Sequence, residues 1–202
     1  AGDWVEREDK IDVLNPENNE WIDSVPAASK KDIEKAITLA KEGSDIAANM
    51  SVRERMDILN KAASYIEEHH EDFARTIALE GVKTINEARG ETTRAAETLR
   101  LSAEEARRLT GESVNFDQMP GNKDRMGYYF RFPVGVVAAI TPFNDPLNLV
   151  AHKLGPAVAA GNAIIIKPAT ETPLSALKMA DAFMKAGLPK KVLTVITGRS
   201  RD

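Results

Sequence analysis

The spacing of apolar residues divides the chain into a helical first part and a last part in which strands and helices alternate. Two segments of the form Ser-x-x-acid, beginning at Ser29 and Ser51, each precede apolar residues at helical spacing and predict helix starts. The predicted apolar stripe of the first helix comprises Ile33, Ala36, Ile37 and Ala40. Two more helices are predicted over residues 71–79 and 85–109, and Gly81 and Gly111 mark where they end.

Extended segments flank this helical layer. Residues 1–28 contain short apolar runs on both sides of the turn-rich residues 15–19, which predicts a hairpin ribbon. Residues 126–131, MGYYFR, are aromatic and lack helical spacing, so we expect an extended segment there. If it is unpaired, such a strand exposes backbone groups and apolar surface that soluble proteins normally cover.

The last part of the chain predicts a β-α-β-α-β unit. Apolar segments lie at residues 134–140, 163–166 and 192–196, and helical segments lie between them at 146–160 and 173–186. The strand segments are apolar throughout rather than alternating, which is typical of strands that a parallel sheet buries on both faces.

Turn residues mark the predicted ends of the two helices in this unit. Residues 145–146 and 172–173, Asp-Pro and Thr-Pro, have the sequence of an N-cap residue followed by a first-turn proline. Gly161 and Gly187 stand where C-terminal glycines belong. Local sequence therefore predicts both ends of both helices.

Composition narrows the classes of function. Of 202 residues, 43% are hydrophobic and 29% are charged, which is typical of a soluble globular chain. The formal net charge of −4 has the wrong sign for a nucleic-acid binder, so no nucleic-acid partner is expected. The sequence has no cysteine, which excludes disulfides, thiolate metal sites and a cysteine nucleophile within these residues. The longest apolar stretch, residues 134–140, is far too short to span a membrane, and we expect a cytoplasmic protein.

Several polar side chains on the predicted helices have structural explanations. His69 and His70 are adjacent, so on a helix they point about 100° apart and do not converge on a metal ion. No metal site is therefore predicted. Glu80, Glu87 and Glu91 lie on helices rich in charge and are expected to form a solvated face.

Polar residues follow each predicted strand of the last unit. In an open parallel sheet, ligands bind beyond the carboxyl ends of the strands, where this chain has Asn144, Lys167 and Gly198. The Asn144 amide can donate to an anionic oxygen beside a helix start, and Lys167 can bind ribose hydroxyls or phosphate. An ordinary turn asparagine and a solvated lysine are the alternatives. Because both residues follow strands and precede proline-started helices, the pattern favours a nucleotide site, although the glycine-rich dinucleotide and P-loop motifs are absent.

Residues 134–177, VGVVAAITPFNDPLNLVAHKLGPAVAAGNAIIIKPATETPLSAL, resemble the cofactor-binding half of the aldehyde dehydrogenase superfamily. A strand, P-F-N, a helix, A-x-x-x-G-N and K-P-x-x-x-T-P follow one another in the family's order, and weaker likeness extends over the whole chain. Phe143, where many members have Trp, favours the branch of lactaldehyde, sulfolactaldehyde, succinate-semialdehyde and non-phosphorylating glyceraldehyde-phosphate dehydrogenases. The resemblance implies an α/β fold with a helical layer followed by an open parallel Rossmann-like sheet, incomplete at the C-terminus.

The resemblance also implies roles for single residues. Asn144 matches the asparagine that stabilises the oxyanion of a thiohemiacetal, and Lys167 matches a lysine that contacts the adenosine ribose. Thr170 stands where NAD-preferring members often have Glu, and a neutral side chain there permits the 2′-phosphate of NADP. The residues that would contact the cofactor, NAD or NADP, are Ile140, Thr141, Pro142, Phe143, Lys167, Pro168, Ala169, Thr170 and Gly198. The sequence L-E-G-V-K at residues 79–83 departs from the family's usual E-T-G-K.

The catalytic groups of the family lie elsewhere. Its members use a cysteine nucleophile and a glutamate base, both downstream of the position that matches Asp202. We therefore expect this chain to be an N-terminal portion of an enzyme that oxidises a small aldehyde to a carboxylic acid through a thiohemiacetal and a thioester. A non-catalytic nucleotide-binding domain of the same fold is the alternative.

Three units are predicted along the chain. Residues 1–120 form the ribbon and helices of the cofactor-binding domain, residues 121–133 an extended oligomerisation-arm segment, and residues 134–202 the β-α-β-α-β part of the domain. In the family the arm pairs with a strand from the far C-terminus. The resemblance therefore implies a homodimer or homotetramer.

Overall fold

A short ribbon and four helices make up the first part of the fold. The computed structural model describes residues 2–199; residue 1 and residues 200–202, which include the end of the predicted last unit, lie outside the described part. The antiparallel ribbon consists of β1 (Lys10–Leu14) and β2 (Trp21–Pro26), and the helices are α1 (Lys30–Asn49), α2 (Val52–Glu68), α3 (His70–Gly81) and α4 (Ile85–Ala106). The helix starts predicted at Ser29 and Ser51 are confirmed as capping boxes. None of the helices between residues 2 and 199 combines the length and the apolar character needed to cross a membrane.

The extended segment at residues 126–131 has a partner that the sequence does not predict. Strand β4 (Met126–Phe130) pairs antiparallel with β3 (Gly111–Asn115), which follows α4 and contains a single large apolar side chain. One edge of β4 is therefore paired within the described residues, although Tyr128 and Phe130 remain 70% and 68% exposed. This hairpin crosses the predicted boundary at residues 120 and 121, and the division into three units stays a prediction.

A parallel sheet forms the last part of the fold, as predicted. Its elements are β5 (Val136–Ile140), α5 (Asn148–Ala159), β6 (Ala163–Lys167), α6 (Leu174–Lys185) and β7 (Leu193–Val195), and the strands pair in chain order. The central strand β6 is largely buried, whereas the edge strand β5 leaves Ala138 and Ile140 exposed. Burial on both faces is therefore wrong for β5: Ala138 and Ile140 lie two residues apart and share one face of the strand, and that face is exposed, whereas Ala139 on the other face is buried.

The buried face of α1 is narrower than its sequence suggests. Ile33 and Ile37 were expected in the core, but they are 38% and 42% exposed. The residues that α1 buries are Ala36, Ala40, Gly43 and Ala47. A Cβ atom at Gly43 would overlap the backbone carbonyl of Lys191, so α1 lies directly against the chain that enters β7. Only small side chains fit at this contact, and Ile33 and Ile37 lie outside it, partly exposed to solvent.

The N-terminus of α6 is capped from a distance. Neither α5 nor α6 has a side-chain cap from its own turn, so the caps predicted at residues 145 and 172 are wrong. For α6, Glu80 of α3 accepts the backbone N–H groups of Leu174 and Ser175, each at 2.8 Å, and the Ser175 hydroxyl. These N–H groups have no partner within the helix, and the carboxylate also opposes the positive end of the helix dipole.

Glu80 is fully buried, which contradicts the solvated face predicted for it, whereas Glu87 is exposed as predicted. Burial raises the pKa of the Glu80 carboxyl to about 7, while the hydrogen bonds from Ser175 and Leu174 act in the opposite direction by favouring the charged form. The buried carboxyl is thus tolerated because three donors surround it.

We expect Glu80→Ala to lower the free energy of unfolding of the full-length protein by about 3 kcal/mol, because it leaves buried donors unpaired. Glu87→Ala is the matched control: Glu87 accepts the Thr84 N–H in an exposed capping box, and its loss should cost about 1 kcal/mol or less. Chemical denaturation measures both values. Equal losses would contradict the proposed cap.

Three helices end in left-handed backbone. Gly161 and Gly187 do so with φ of 78° and 89°, which confirms the two predicted C-terminal glycines. Val82 ends α3 in the same region, with φ 49° and ψ 47°, and its side chain is 51% exposed. A side chain with a Cβ costs roughly 1–2 kcal/mol in this conformation, and β-branched residues are rare there. The turn between α3 and α4 is therefore strained at Val82.

Val82→Gly should raise the free energy of unfolding by about 1 kcal/mol, since relief of the left-handed strain exceeds the greater chain entropy of glycine in the unfolded state. Val82→Ala is the control, because alanine keeps the Cβ that causes the strain. Thermal and chemical denaturation of the full-length protein should rank the variants Gly above Ala. A destabilised glycine variant would mean that the Val82 side chain contributes packing that outweighs the strain.

Candidate functional site

The carboxyl ends of the three parallel strands lie side by side. The Thr141 N–H, just after β5, donates to the Lys167 carbonyl at the end of β6 at 3.1 Å. The Ile196 N–H, just after β7, donates to the Ile166 carbonyl at 2.8 Å. The structure thus brings the segments that follow all three strands to one edge of the sheet, where open parallel sheets bind their ligands.

Three of the predicted cofactor residues form a hydrogen-bonded chain at this edge. The Lys167 ammonium donates to the Thr170 hydroxyl at 3.3 Å, and that hydroxyl donates to the Gly198 carbonyl at 3.0 Å. All three residues are half-buried, and no carboxylate of residues 2–199 lies within ion-pair distance of Lys167. The ammonium is therefore held in place and keeps a charge that an anionic or hydroxyl-rich ligand can use. Of the two remaining residues predicted beside it, Pro168 is buried and Ala169 is half-buried.

The loop after β5 is open to solvent on one side. Ile140 and Phe143 are 78% and 63% exposed, and Pro142 and Asn144 are exposed as well. The Asn144 side chain makes no hydrogen bond to any of residues 2–199, so its amide is free to donate to a ligand. Thr141 differs, because it is buried and its hydroxyl oxygen has no hydrogen-bond partner within the described residues. A buried hydroxyl without a partner costs free energy, and a ligand at the strand ends would remove this cost.

The far end of the same loop is fixed by Glu91 of α4. This carboxylate is fully buried, and its Oε1 accepts the N–H groups of Leu147 and Asn148 at 2.8 and 3.1 Å. Lys83, in the turn between α3 and α4, donates to Glu91 Oε2 at 2.6 Å and also to Asp145. The prediction of a solvated Glu91 is therefore wrong, and Lys83 and Glu91 are residues of this region that sequence reasoning missed.

A sequence signal for the two buried glutamates existed. Glu80 follows Phe73 and Ile77 at spacings of seven and three residues, and both of these apolar residues are buried. Glu91 likewise follows the buried Ala88 by three residues, on the buried stripe of α4. An acid on the apolar face of a helix must be paired or hydrogen-bonded, so its position, rather than the charge of the helix around it, was the informative feature.

The two adjacent histidines have separate structural partners. The His69 ring stacks on Tyr65 with centroids 4.1 Å apart, and its Nδ1 lies 2.8 Å from the Tyr65 carbonyl. The His70 Nε2 lies 3.1 Å from the Arg89 carbonyl. Within residues 2–199, no group of three or more metal-ligating side chains is placed to hold a metal ion.

Comparison with known proteins identifies the family. The pattern of the aldehyde dehydrogenase family matches residues 4–202. The chain is 47% identical over 197 residues to the 3-sulfolactaldehyde dehydrogenase of Priestia megaterium, which covers 98% of this chain and 41% of that protein. It is 36% identical over 200 residues to the succinate-semialdehyde dehydrogenase [NADP(+)] GabD of Escherichia coli, covering 98% of this chain and 40% of that protein.

A solved structure agrees with these sequence relatives. The NADP-dependent glyceraldehyde-3-phosphate dehydrogenase of Bacillus halodurans, crystallised with NADP, superimposes with a TM-score of 0.93 at 38% identity, over 99% of this chain and 43% of that one. The present chain therefore spans about two fifths of the length of these relatives. The predicted α/β fold and the resemblance to this branch are confirmed. The chain belongs to the aldehyde dehydrogenase family.

Proposed function

We propose that this chain is the N-terminal, cofactor-binding portion of an enzyme that oxidises a small aldehyde to a carboxylic acid with NAD or NADP. The observation that carries the proposal is the juxtaposition at the strand ends: the ordered Lys167 ammonium and the exposed Asn144 amide follow neighbouring strands. This arrangement supports the proposal, because an ammonium can donate to ribose hydroxyls and a free amide can donate to an oxyanion.

The polar groups at the strand ends fit a nicotinamide dinucleotide. Lys167 would donate to ribose hydroxyls, and its hydrogen bond to Thr170 holds it at the edge of the sheet. The partnerless hydroxyl of Thr141 would gain an acceptor or donor on the nicotinamide side, where Pro142 and the exposed ring of Phe143 would form an apolar wall. When bound, the nicotinamide ring accepts a hydride from the substrate.

Asn144 would stabilise the negative charge that develops on the aldehyde oxygen when a nucleophile attacks the carbonyl carbon. Its amide is exposed and makes no hydrogen bond within residues 2–199, so it can donate to that oxygen. The attacking thiolate would come from a part of the protein outside these 202 residues, since this chain has no cysteine. By resemblance to the family, the general base would lie outside them as well. We further propose a homodimer or homotetramer, in which a second subunit or a later strand covers the exposed aromatic side chains of β4.

In the full-length enzyme, Asn144→Ala should lower kcat by about 10²- to 10³-fold, as expected for the loss of one oxyanion donor, while the dissociation constant of the cofactor stays nearly unchanged. Steady-state formation of NADH or NADPH gives kcat, and a fluorescence titration gives cofactor affinity. Asn144→Asp is the matched variant, because it keeps the shape but removes the donor and adds a negative charge. It should be at least as slow as the alanine variant. Wild-type kcat in either variant would remove Asn144 from the mechanism.

Thr170→Glu should weaken binding of NADP about tenfold more than binding of NAD, because the new carboxylate would repel the 2′-phosphate that only NADP carries. Thr170→Gln serves as the uncharged control and separates the effect of size from that of charge. Paired titrations of both cofactors measure the difference. Equal losses for NAD and NADP would show that residue 170 does not face the ribose.

A further inference from the structure

The loop that carries Asn144 combines an uncommitted side chain with a fixed backbone. On the strand side, the Thr141 N–H is hydrogen-bonded to β6. On the helix side, Glu91 holds the N–H groups of Leu147 and Asn148. Between these two fixed ends only a few residues remain, and Asn144 is among them.

Lys83 links the helix side of this loop to the turn between α3 and α4. Its ammonium contacts the Glu91 and Asp145 carboxylates, and Asp145 is the neighbour of Asn144 in the chain. Burial lowers the pKa of the Lys83 ammonium, but the hydrogen bonds to Asp145 and Glu91 have the larger combined effect, and the pKa is raised above its usual value. Lys83 is therefore charged at neutral pH.

Two acidic and two basic side chains lie around the helix side of the loop. Glu91 is fully buried and Asp145 is 30% exposed at its side chain, and each forms an ion pair with Lys83. Lys83, with 18% of its side chain exposed, lies between them, whereas Arg94 is 3.6 Å from Asp145 but 56% exposed and therefore more strongly screened. Without Lys83, the buried Glu91 would have no ion-pair partner among residues 2–199, and Asp145 would keep only the exposed Arg94.

We propose that Lys83 and Glu91 are positioning residues for the oxyanion donor Asn144: Glu91 fixes the backbone on the helix side of the loop, and Lys83 holds Glu91 and Asp145 and offsets part of their negative charge. This inference rests on the function proposed above. Neither residue needs to touch the substrate, because both would act through the loop that carries Asn144.

The test is a double-mutant cycle of Lys83→Met with Asn144→Ala in the full-length enzyme, with kcat, KM and cofactor affinity measured for each variant. We expect Lys83→Met alone to lower kcat by about tenfold or more, with cofactor affinity nearly unchanged. In the Asn144→Ala background the same substitution should lower kcat by less than about threefold, because the donor that it positions is already gone. Arg89→Met is the control: Arg89 lies on α4 near Glu91, but its ion pair with Glu71 is exposed, and kcat should not change.

Two results for Lys83→Met would overturn the proposal. One is an unchanged kcat in Lys83→Met, and the other is an equal loss in both backgrounds, which would assign Lys83 a role that does not pass through Asn144. If Lys83→Met does not fold, Glu91→Gln replaces it in the cycle, since its amide oxygen still accepts the Leu147 and Asn148 N–H groups while the charge that holds Lys83 is removed. Its loss of kcat should likewise vanish in the Asn144→Ala background. If Asn144→Ala by itself keeps wild-type kcat, the proposed function of Asn144 fails first, and the positioning role is overturned with it.

Discussion

Two buried carboxylates hold the sheet helices against the helical layer, and the geometry of the candidate site depends on them. Helices α5 and α6 each begin just beyond the carboxyl end of a strand, and their first N–H groups have no partner within the helix. Glu91 and Glu80 supply the missing acceptors from α4 and α3. Because the loops that carry Asn144 and Thr170 connect these strands to these helices, fixing the helix starts also fixes the path of both loops.

Burying two carboxylates is costly, and the structure compensates each one differently. Glu80 is surrounded by neutral donors, two backbone N–H groups and a serine hydroxyl, whereas Glu91 also has the Lys83 ammonium. The arrangement contributes orientation more than net stability, since a buried ion pair seldom outweighs its desolvation. The neutral cap belongs to α6, the helix that follows β6. The cap of α5, in which Glu91 is paired with Lys83, lies next to the loop where negative charge would develop. An unpaired carboxylate at this position would repel that charge.

The sequence predicted those features of the fold that depend on local pattern. The capping boxes of α1 and α2, the order of the β-α-β-α-β unit and the glycines at 161 and 187 follow from neighbouring residues, and the structure contains them. The proximity of the segments that carry Lys167, Thr170 and Gly198 also follows from the sequence, because the carboxyl ends of parallel strands meet at one edge of a sheet. Strand β3, the exposed isoleucines of α1 and the distant caps could not be predicted in this way. Each depends on a partner far away in the chain, such as the Lys191 backbone against which Gly43 packs.

The strained residue Val82 lies between the two helices that provide these caps. A β-branched residue persists in left-handed backbone only where contacts on both sides leave the chain no other path. Glu80 is hydrogen-bonded to the start of α6 two residues before it, and Lys83 is bound to Glu91 and Asp145 immediately after it. The turn is thus determined by its flanking polar contacts and not by its own sequence. The same contacts that order the strand-end loops therefore also maintain the strain, so the residues on either side of Val82 link the stability of the helical layer to the precision of the candidate site.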